Sequence, residues 1–159
     1  MKSNKLSSSN LQGEGNGLED VNEPVFTLGV ASRLSGIPSH SIRQYIDVGL
    51  IIPFKLESKR HLFSPNDIRR LKFIQGLIQD RGLNFAGVRT MMAMLPCWAI
   101  RNCPESDRNS CGAFDDDYIP CWEASNKGRL CKNENCRDCE VYRSLDMNAG
   151  IKSLLKELV

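Results

Sequence analysis

Every cysteine in this chain falls in its last two-fifths. Cys97, Cys103, Cys111, Cys121, Cys131, Cys136 and Cys139 all follow residue 96, and none precedes it. A hydrophobic core uses free cysteine as a small buried hydrophobe, scattered among apolar positions. Seven thiols gathered among Asp and Asn are poorly placed for that role, and an odd number cannot all pair within one chain. The opening stretch, "MKSNKLSSSNLQGEGNGLED", has lysines but no apolar segment after them, so it does not read as a secretory signal. No apolar run approaches the ~20 residues needed to cross a bilayer. The expected setting is cytoplasmic, without a membrane partner, where thiols stay reduced and clustered cysteines point to metal or redox chemistry.

Charge divides the chain in the same place. The formal net charge is only +2, but residues 25–96 carry ten Lys/Arg against four acids, a local +6. Residues 97–143 carry seven against nine, and residues 1–24 carry two against four. A basic block beside an acidic, thiol-rich one fits a polyanion partner for the first and a separate task for the second. Four segments are therefore expected. Residues 1–24 form a disordered tail of Ser, Asn, Gly and Glu, 25–96 a basic domain, 97–143 a cysteine-rich metal or redox module, and 144–159 an amphipathic helix.

Within the basic block the pattern is mainly helical. In "FTLGVASRLSG", Thr27 can cap a helix with Leu28, Ala31 and Leu34 as apolar positions, and Gly36 stops it. A second helix opens at Pro38 or Ser39, buries Ile42, Tyr45 and Ile46, and closes at Gly49. Two short helices around a Gly-containing turn make a helix-turn-helix. "LIIPFKLESKRHLF" reads as a small hairpin. Ser64, Pro65 and Asp67 give a third helix a capping-box start. Ile68, Leu71, Ile74 and Ile78 form its apolar face, and Gly82 is its expected C-cap. Asn84 caps a fourth helix that Pro96 halts. The fold class expected is mainly α with a β-hairpin wing: a winged helix-turn-helix, a small cysteine-rich module and a C-terminal helix.

Residues 26–92 resemble the DNA-binding domain of the MerR family of bacterial transcription regulators. "SIRQYIDVGLI" is similar to that family's recognition-helix pattern, and "HLFSPNDIRRLKFIQ" to its wing exit and third helix. The Gln of "RQY" and the phrase "LNFAGVRTMM" resemble the heat-shock-repressor branch in particular. The resemblance implies double-stranded DNA as partner, action on RNA polymerase indirectly at promoters, and a homodimer. It also implies a contact set. Ser39, His40, Ser41, Arg43 and Gln44 would enter the major groove from the second helix. Tyr45 would touch backbone phosphate, and Lys55, Lys59 and Arg60 would reach flanking phosphates from the wing. Arg43 has the fork geometry for guanine or phosphate. The family usually has Tyr where this chain has Gln44, and Arg where it has His61, differences that bear on base preference. It also follows this domain with a long pairing helix and a sensor region, and in one branch that region carries a cysteine-ligated iron–sulfur centre. Here Pro96 comes too soon for a full-length pairing helix. The stripe Ile151, Leu154, Leu155 and Leu158 can supply a dimer interface instead, or cap the cysteine module.

"PCW" occurs twice, at Pro96–Trp98 and Pro120–Trp122, and each copy is followed by further cysteines, as in an imperfect tandem repeat. The trio Cys131, Cys136 and Cys139 has the C-x4-C-x2-C spacing of one iron–sulfur motif, with a fourth ligand needed from elsewhere. Soft thiolates without histidine suit an iron–sulfur cluster or zinc. An iron–sulfur cluster is the first reading and a closed zinc site the alternative. A metal-free thiol switch stays open as a third. All seven cysteines are candidate ligands, and spacing does not choose four among them. Trp98 and Trp122 are expected to pack over the site. No Ser/His/Asp set, phosphate-binding glycine loop or carboxylate pair is evident, so no enzyme activity is expected. The chain as a whole reads as a DNA-binding regulator that senses redox state or iron, with a zinc-stabilised DNA-binding and protein-interaction module as the second reading.

Overall fold

The computed structural model describes residues 20–145 and 150–159. The chain begins with strand β1 (Phe26–Thr27), helices α1 (Leu28–Ser35) and α2 (Ser39–Asp47), strands β2 (Phe54–Lys55) and β3 (His61–Phe63), and helices α3 (Pro65–Gln79) and α4 (Phe85–Ala93). The cysteine-rich part follows as very short helices: α5 (Cys97–Ile100), α6 (Glu105–Arg108), α7 (Gly112–Asp115), a 3-10 turn (Cys136–Asp138) and α8 (Glu140–Arg143). Helix α9 (Gly150–Glu157) closes the described chain.

Local chemistry accounts for the first half. Thr27 Oγ1 accepts from the Val30 amide at 3.4 Å to start α1, and Gly36, at φ 74°, ends it in the left-handed conformation that glycine adopts without strain. The capping box of α3 is complete: Asp67 N donates to Ser64 Oγ at 3.1 Å, and Ser64 N donates to Asp67 Oδ2 at 2.7 Å. Asn84 Oδ1 accepts from Gly87 N at 2.8 Å to start α4. The wing gains a third strand that the hairpin reading lacked. β1 pairs antiparallel with β3, Phe26 opposite Phe63, while β2 pairs with the other edge of β3, Phe54 opposite Leu62.

Three expectations need correcting. Leu34 is 43% exposed; the buried positions of α1 are Ala31 and Ser35, one helical turn apart. Ser35 earns burial by making local hydrogen bonds, its Oγ donating to Ser32 O and accepting from Ile37 N. Helix α3 ends at Gln79 with Asp80 as its C-cap, before Gly82; that glycine (φ 71°) turns the chain so that Leu83 N donates to Leu77 O. Of the expected disordered tail, residues 1–19 lie outside the described residues. Residues 20–24 are held, since Val21 O accepts from Asn66 N at 2.8 Å and Asn22 Oδ1 accepts from Asn66 Nδ2 at 3.2 Å. Of the C-terminal segment, 146–149 also lie outside.

The two halves share one core. Trp122, Val141, Tyr142 and Leu145 belong to the same buried cluster as Ile42, Leu50, Phe63 and Leu71 of the helix-turn-helix. At the joint lies Arg70, only 3% exposed. Its Nε donates to Leu50 O at 3.1 Å and its Nη1 to Tyr142 O at 2.9 Å, while the guanidinium lies 3.8 Å from the Tyr142 ring centre and 5.2 Å from that of Trp122. Those two rings meet edge-on at 5.2 Å. The indole of Trp122 donates to Gly49 O at 2.8 Å, and Ile52 N donates to the Tyr142 hydroxyl at 2.8 Å. Gly49 has φ 74°, a left-handed backbone that favours glycine.

Arg70→Ala would strip the donors from two buried carbonyls and remove the cation under two rings. The expected loss is about 3 kcal/mol, read as a lower urea midpoint by tryptophan fluorescence and by far-ultraviolet ellipticity together. An unchanged midpoint would place the joint elsewhere.

Candidate functional site

Helix α2 presents a two-sided surface. Ile42 and Tyr45 are buried, whereas His40, Arg43, Gln44 and Asp47 are exposed, at the i, i+3, i+4, i+7 spacing that puts them on one stripe. Ser39 and Ser41 are half-buried at its first turn. Lys55, Lys59 and Arg60 are exposed on the wing, which turns at Lys59 in a left-handed conformation (φ 63°) closed by Leu56 N to Arg60 O and Lys59 N to Leu56 O, each 2.9 Å. Tyr45, expected to touch backbone phosphate, lies with its ring in the core. It is 5% exposed, and its ring lies edge-on to Phe85 at 5.8 Å, because it falls on the buried stripe of α2. Burial also raises the pKa of its phenol. Asp47 was missed by sequence reasoning, although helical spacing from Arg43 would have found it; it sets a carboxylate at the end of the exposed stripe.

The seven cysteines, spread over forty-three positions of sequence, all line one cavity, with about 680 Å3 of atom-free space counted to its open side. Each is a free thiol. Cys97 opens α5, Cys111 caps α7, Cys136 opens the 3-10 turn and Cys139 caps α8. Helices of four residues cannot hold themselves in water, so other bonds fix these turns. Gly112 N donates to Asn126 O at 2.8 Å, joining the two Cys-Trp units. The buried carboxylate of Asp107 accepts from Leu130 N at 2.8 Å and from Arg129 Nε at 3.4 Å. Both tryptophans line the cavity, as expected, and Trp98 meets Phe114 edge-on at 5.3 Å.

The thiols are not equivalent. Cys97, Cys121, Cys136 and Cys139 pack against the shared core. Cys97 and Cys121 share a hydrogen bond, which lowers the Cys97 thiol to about 7 and raises that of Cys121. The charges of Cys97, Cys139 and Cys136 also bear on Cys121. Cys103, Cys111 and Cys131 lie outside that core-packed quartet, and burial raises the pKa of Cys103 and Cys131. Three cations line the cavity: Arg101, Arg108 and Lys127. Lys127 Nζ lies 3.1 Å from Cys136 Sγ and 3.1 Å from Trp122 O. Arg101 Nε is buried there without a hydrogen-bond partner, and the Arg101 charge favours the Cys131 thiolate. Sequence spacing carried no signal for these cations.

Among the described residues, no three His, Cys, Asp or Glu side chains gather tightly enough to hold a single ion between them. A zinc ion draws four thiolates to ~2.3 Å from a common centre, and an iron–sulfur cluster is likewise held by four Cys thiolates. The donor set, soft and without histidine, fits either group chemically.

Residues 26–95 match the family described as "MerR HTH family regulatory protein". The match ends just before Cys97. Among curated proteins, the chain is 35% identical over 71 residues to "Putative heat shock protein HspR" of Streptomyces coelicolor, covering 45% of this chain and 47% of that one. It is 35% identical over 71 residues to the "HTH-type transcriptional regulator GlnR" of Bacillus cereus, covering 45% and 54%. It is 35% identical over 81 residues to "Heavy metal-dependent transcription regulator 2" of Rhizobium meliloti, covering 50% and 52%. The chain thus spans about half the length of the curated relatives it matches. No helix among the described residues is long and apolar enough to cross a membrane.

In metal-free protein the Cys97–Cys121 pair should show in alkylation. Since thiolate is the reactive form, iodoacetamide labelling of Cys97 should rise with pH to half its maximum near pH 7. Cys121 should lag behind across the same range. Peptide mass spectrometry of a pH series checks this, and equal reactivity of the two would show that they share no proton.

Proposed function

Residues 26–95 are a MerR-family helix-turn-helix domain, and we propose that the chain carrying it is a DNA-binding transcription regulator governed by an iron–sulfur centre held among its cysteines. The observation that carries this reading is the convergence of all seven thiols on one cavity that packs against the same core as the DNA-reading helix. Cys97, Cys121, Cys136 and Cys139 are the proposed ligands, because they are the four of the seven that pack on the shared core. This quartet takes one thiol from each Cys-Trp unit and two from the C-x-x-C turn, and it leaves Cys131 of the C-x4-C-x2-C spacing at the rim. A bound cluster would supply a one-electron couple that responds to oxidants. The protein's own part is to compensate the negative charge of thiolates with Arg101, Arg108 and Lys127, and to donate a hydrogen bond to Cys136 sulfur from Lys127. Hydrogen bonds and charge around the sulfurs are the means by which a protein sets such a centre's potential.

On the DNA side, Arg43 is the proposed base reader, flanked by His40 and Gln44, while Lys55, Lys59 and Arg60 position the wing on phosphates. A homodimer is part of the reading, with half-sites about one helical turn apart and effects on RNA polymerase exerted indirectly, through operator geometry. Helix α9 turns Ile151 and Leu154 onto the core and leaves Leu155 and Leu158 exposed, so the latter pair supports a dimer contact. Zinc is the second reading, favoured by the C-x-x-C turn, where Cys139 N donates to Cys136 O at 3.2 Å.

Two experiments test the proposal. Protein purified without oxygen should show a broad visible absorption band with iron and sulfide in matched amounts. The band should vanish in Cys→Ser variants at 97, 121, 136 or 139 and persist in those at 103, 111 or 131. A colourless sample containing zinc in place of iron would overturn the iron–sulfur reading. On duplexes selected from a random-sequence pool, Arg43→Ala should cost about 1–3 kcal/mol and relax sequence preference at one position. Lys59→Gly, which keeps the left-handed turn, should weaken all sequences alike and reduce the salt slope by about 1. Failure of the wild-type chain to select any duplex would sink the DNA-binding reading.

A further inference from the structure

The first of the two residues between the cysteines of the C-x-x-C turn does not face the cavity. Arg137 reaches out of the 3-10 turn into the helix-turn-helix half. Its Nη1 and Nη2 donate to Asp67 Oδ1 and Oδ2 at 3.1 and 2.7 Å, a two-point fork, and Nη1 also donates to Ile52 O at 2.6 Å. Arg137 is 7% exposed and Asp67 4%, so the pair is shielded from solvent. Both contacts fall where the wing meets the rest of the domain. Ile52 is two residues before β2, and its amide donates to the Tyr142 hydroxyl from the same module. Asp67 is the capping-box acid of α3, and its Oδ2 accepts from Arg137 and from Ser64 N at the end of β3. One guanidinium thus grips both roots of the wing.

We propose that Arg137 is the positioning residue through which the state of the thiol site sets the wing. The inference rests on the reading that Cys136 and Cys139 hold the centre. Arg137 stands one residue after Cys136 and two before Cys139, so whatever holds or moves those two thiols holds or moves the base from which it reaches. Apart from its two thiols the turn is held by bonds within residues 135–143: Arg137 N donates to Asn135 Oδ1 at 3.2 Å, Asp138 N to Asn135 O at 3.0 Å, Cys139 N to Cys136 O at 3.2 Å and Arg143 Nε to Arg137 O at 3.3 Å, so the turn shifts as a unit. When the thiols let go, the fork moves with the turn, leaving Asp67 as a buried carboxylate without its cation. A buried carboxylate that loses its partner must find water or a proton, and both ways open the β3–α3 corner and loosen the wing that carries Lys55, Lys59 and Arg60. The sensor therefore acts on DNA reading within one chain, whatever it also does between two.

Hydrogen exchange, measured by mass spectrometry on the full chain, tests this without reference to DNA or activity. Peptides spanning residues 51–67 are followed in protein as purified without oxygen and after removal of its metal with chelator. In the wild type these peptides should exchange roughly tenfold faster once the site is emptied, a change that reports opening of a buried, hydrogen-bonded corner. In Arg137→Met the exchange should be fast in both states while metal content and visible spectrum stay as in the wild type. Arg137→Lys keeps the charge but not the fork and should fall between the two, which guards against a Met variant that fails to fold. An arginine that merely stabilises the fold would raise exchange in both states and preserve the difference between them. That result, or a wild type whose peptides do not respond to emptying, overturns the inference. If the wild type holds neither iron and sulfide nor zinc, the metal reading fails by itself. The comparison is then made between reduced and diamide-oxidised protein, where loss of the response in Arg137→Met sustains the inference and its retention overturns it.

Discussion

The burial of two arginines, Arg70 and Arg137, beside one carboxylate, Asp67, is the constraint on which the rest of this structure depends. Charged groups leave water only when fully partnered. Here the partners come from both halves of the chain: carbonyls at Leu50, Ile52 and Tyr142, the rings of Tyr142 and Trp122, and the capping acid of α3. Neither half can satisfy these groups alone. The cysteine-rich part is therefore built into the helix-turn-helix, and its short helices borrow the stability of a core they could not make for themselves.

That arrangement gives the cavity and the reading helix a short physical connection. Trp122, one residue after Cys121, donates to the carbonyl of Gly49, the glycine that ends the turn after α2. Arg137, one residue after Cys136, grips the base of the wing. Two of the four core-packed cysteines are thus sequence neighbours of the residues that touch the DNA-facing half. The thiols themselves look the other way, into a cavity lined by three cations, where a negatively charged centre would find compensation.

Much of the helix-turn-helix was legible in sequence because its signals are local. A capping threonine, a capping box, a left-handed glycine and a turn of polar residues each act over four or five positions, and each stands where its chemistry placed it. Leu34 shows the limit. Periodicity marks apolar positions but does not say which side chain the core takes, so Ser35 is buried where Leu34 is not. The third strand was missed because two residues carry no pattern of their own; β1 exists only because β3 offers it an edge.

The sequence by itself determined the parts. It set a basic winged helix-turn-helix ahead of seven thiols, with no histidine among them, and so restricted the chemistry to soft-metal or thiol reactions, because composition and short-range hydrogen bonding are properties of neighbouring residues. Only the tertiary structure decided how the parts meet. That seven thiols face one space, that four of them rest on the shared core, and that the arginine inside a C-x-x-C pairs with an aspartate seventy positions earlier are matters of long-range packing. Such contacts form where buried charges from distant segments satisfy one another, and no local pattern in the chain records which distant partner that will be.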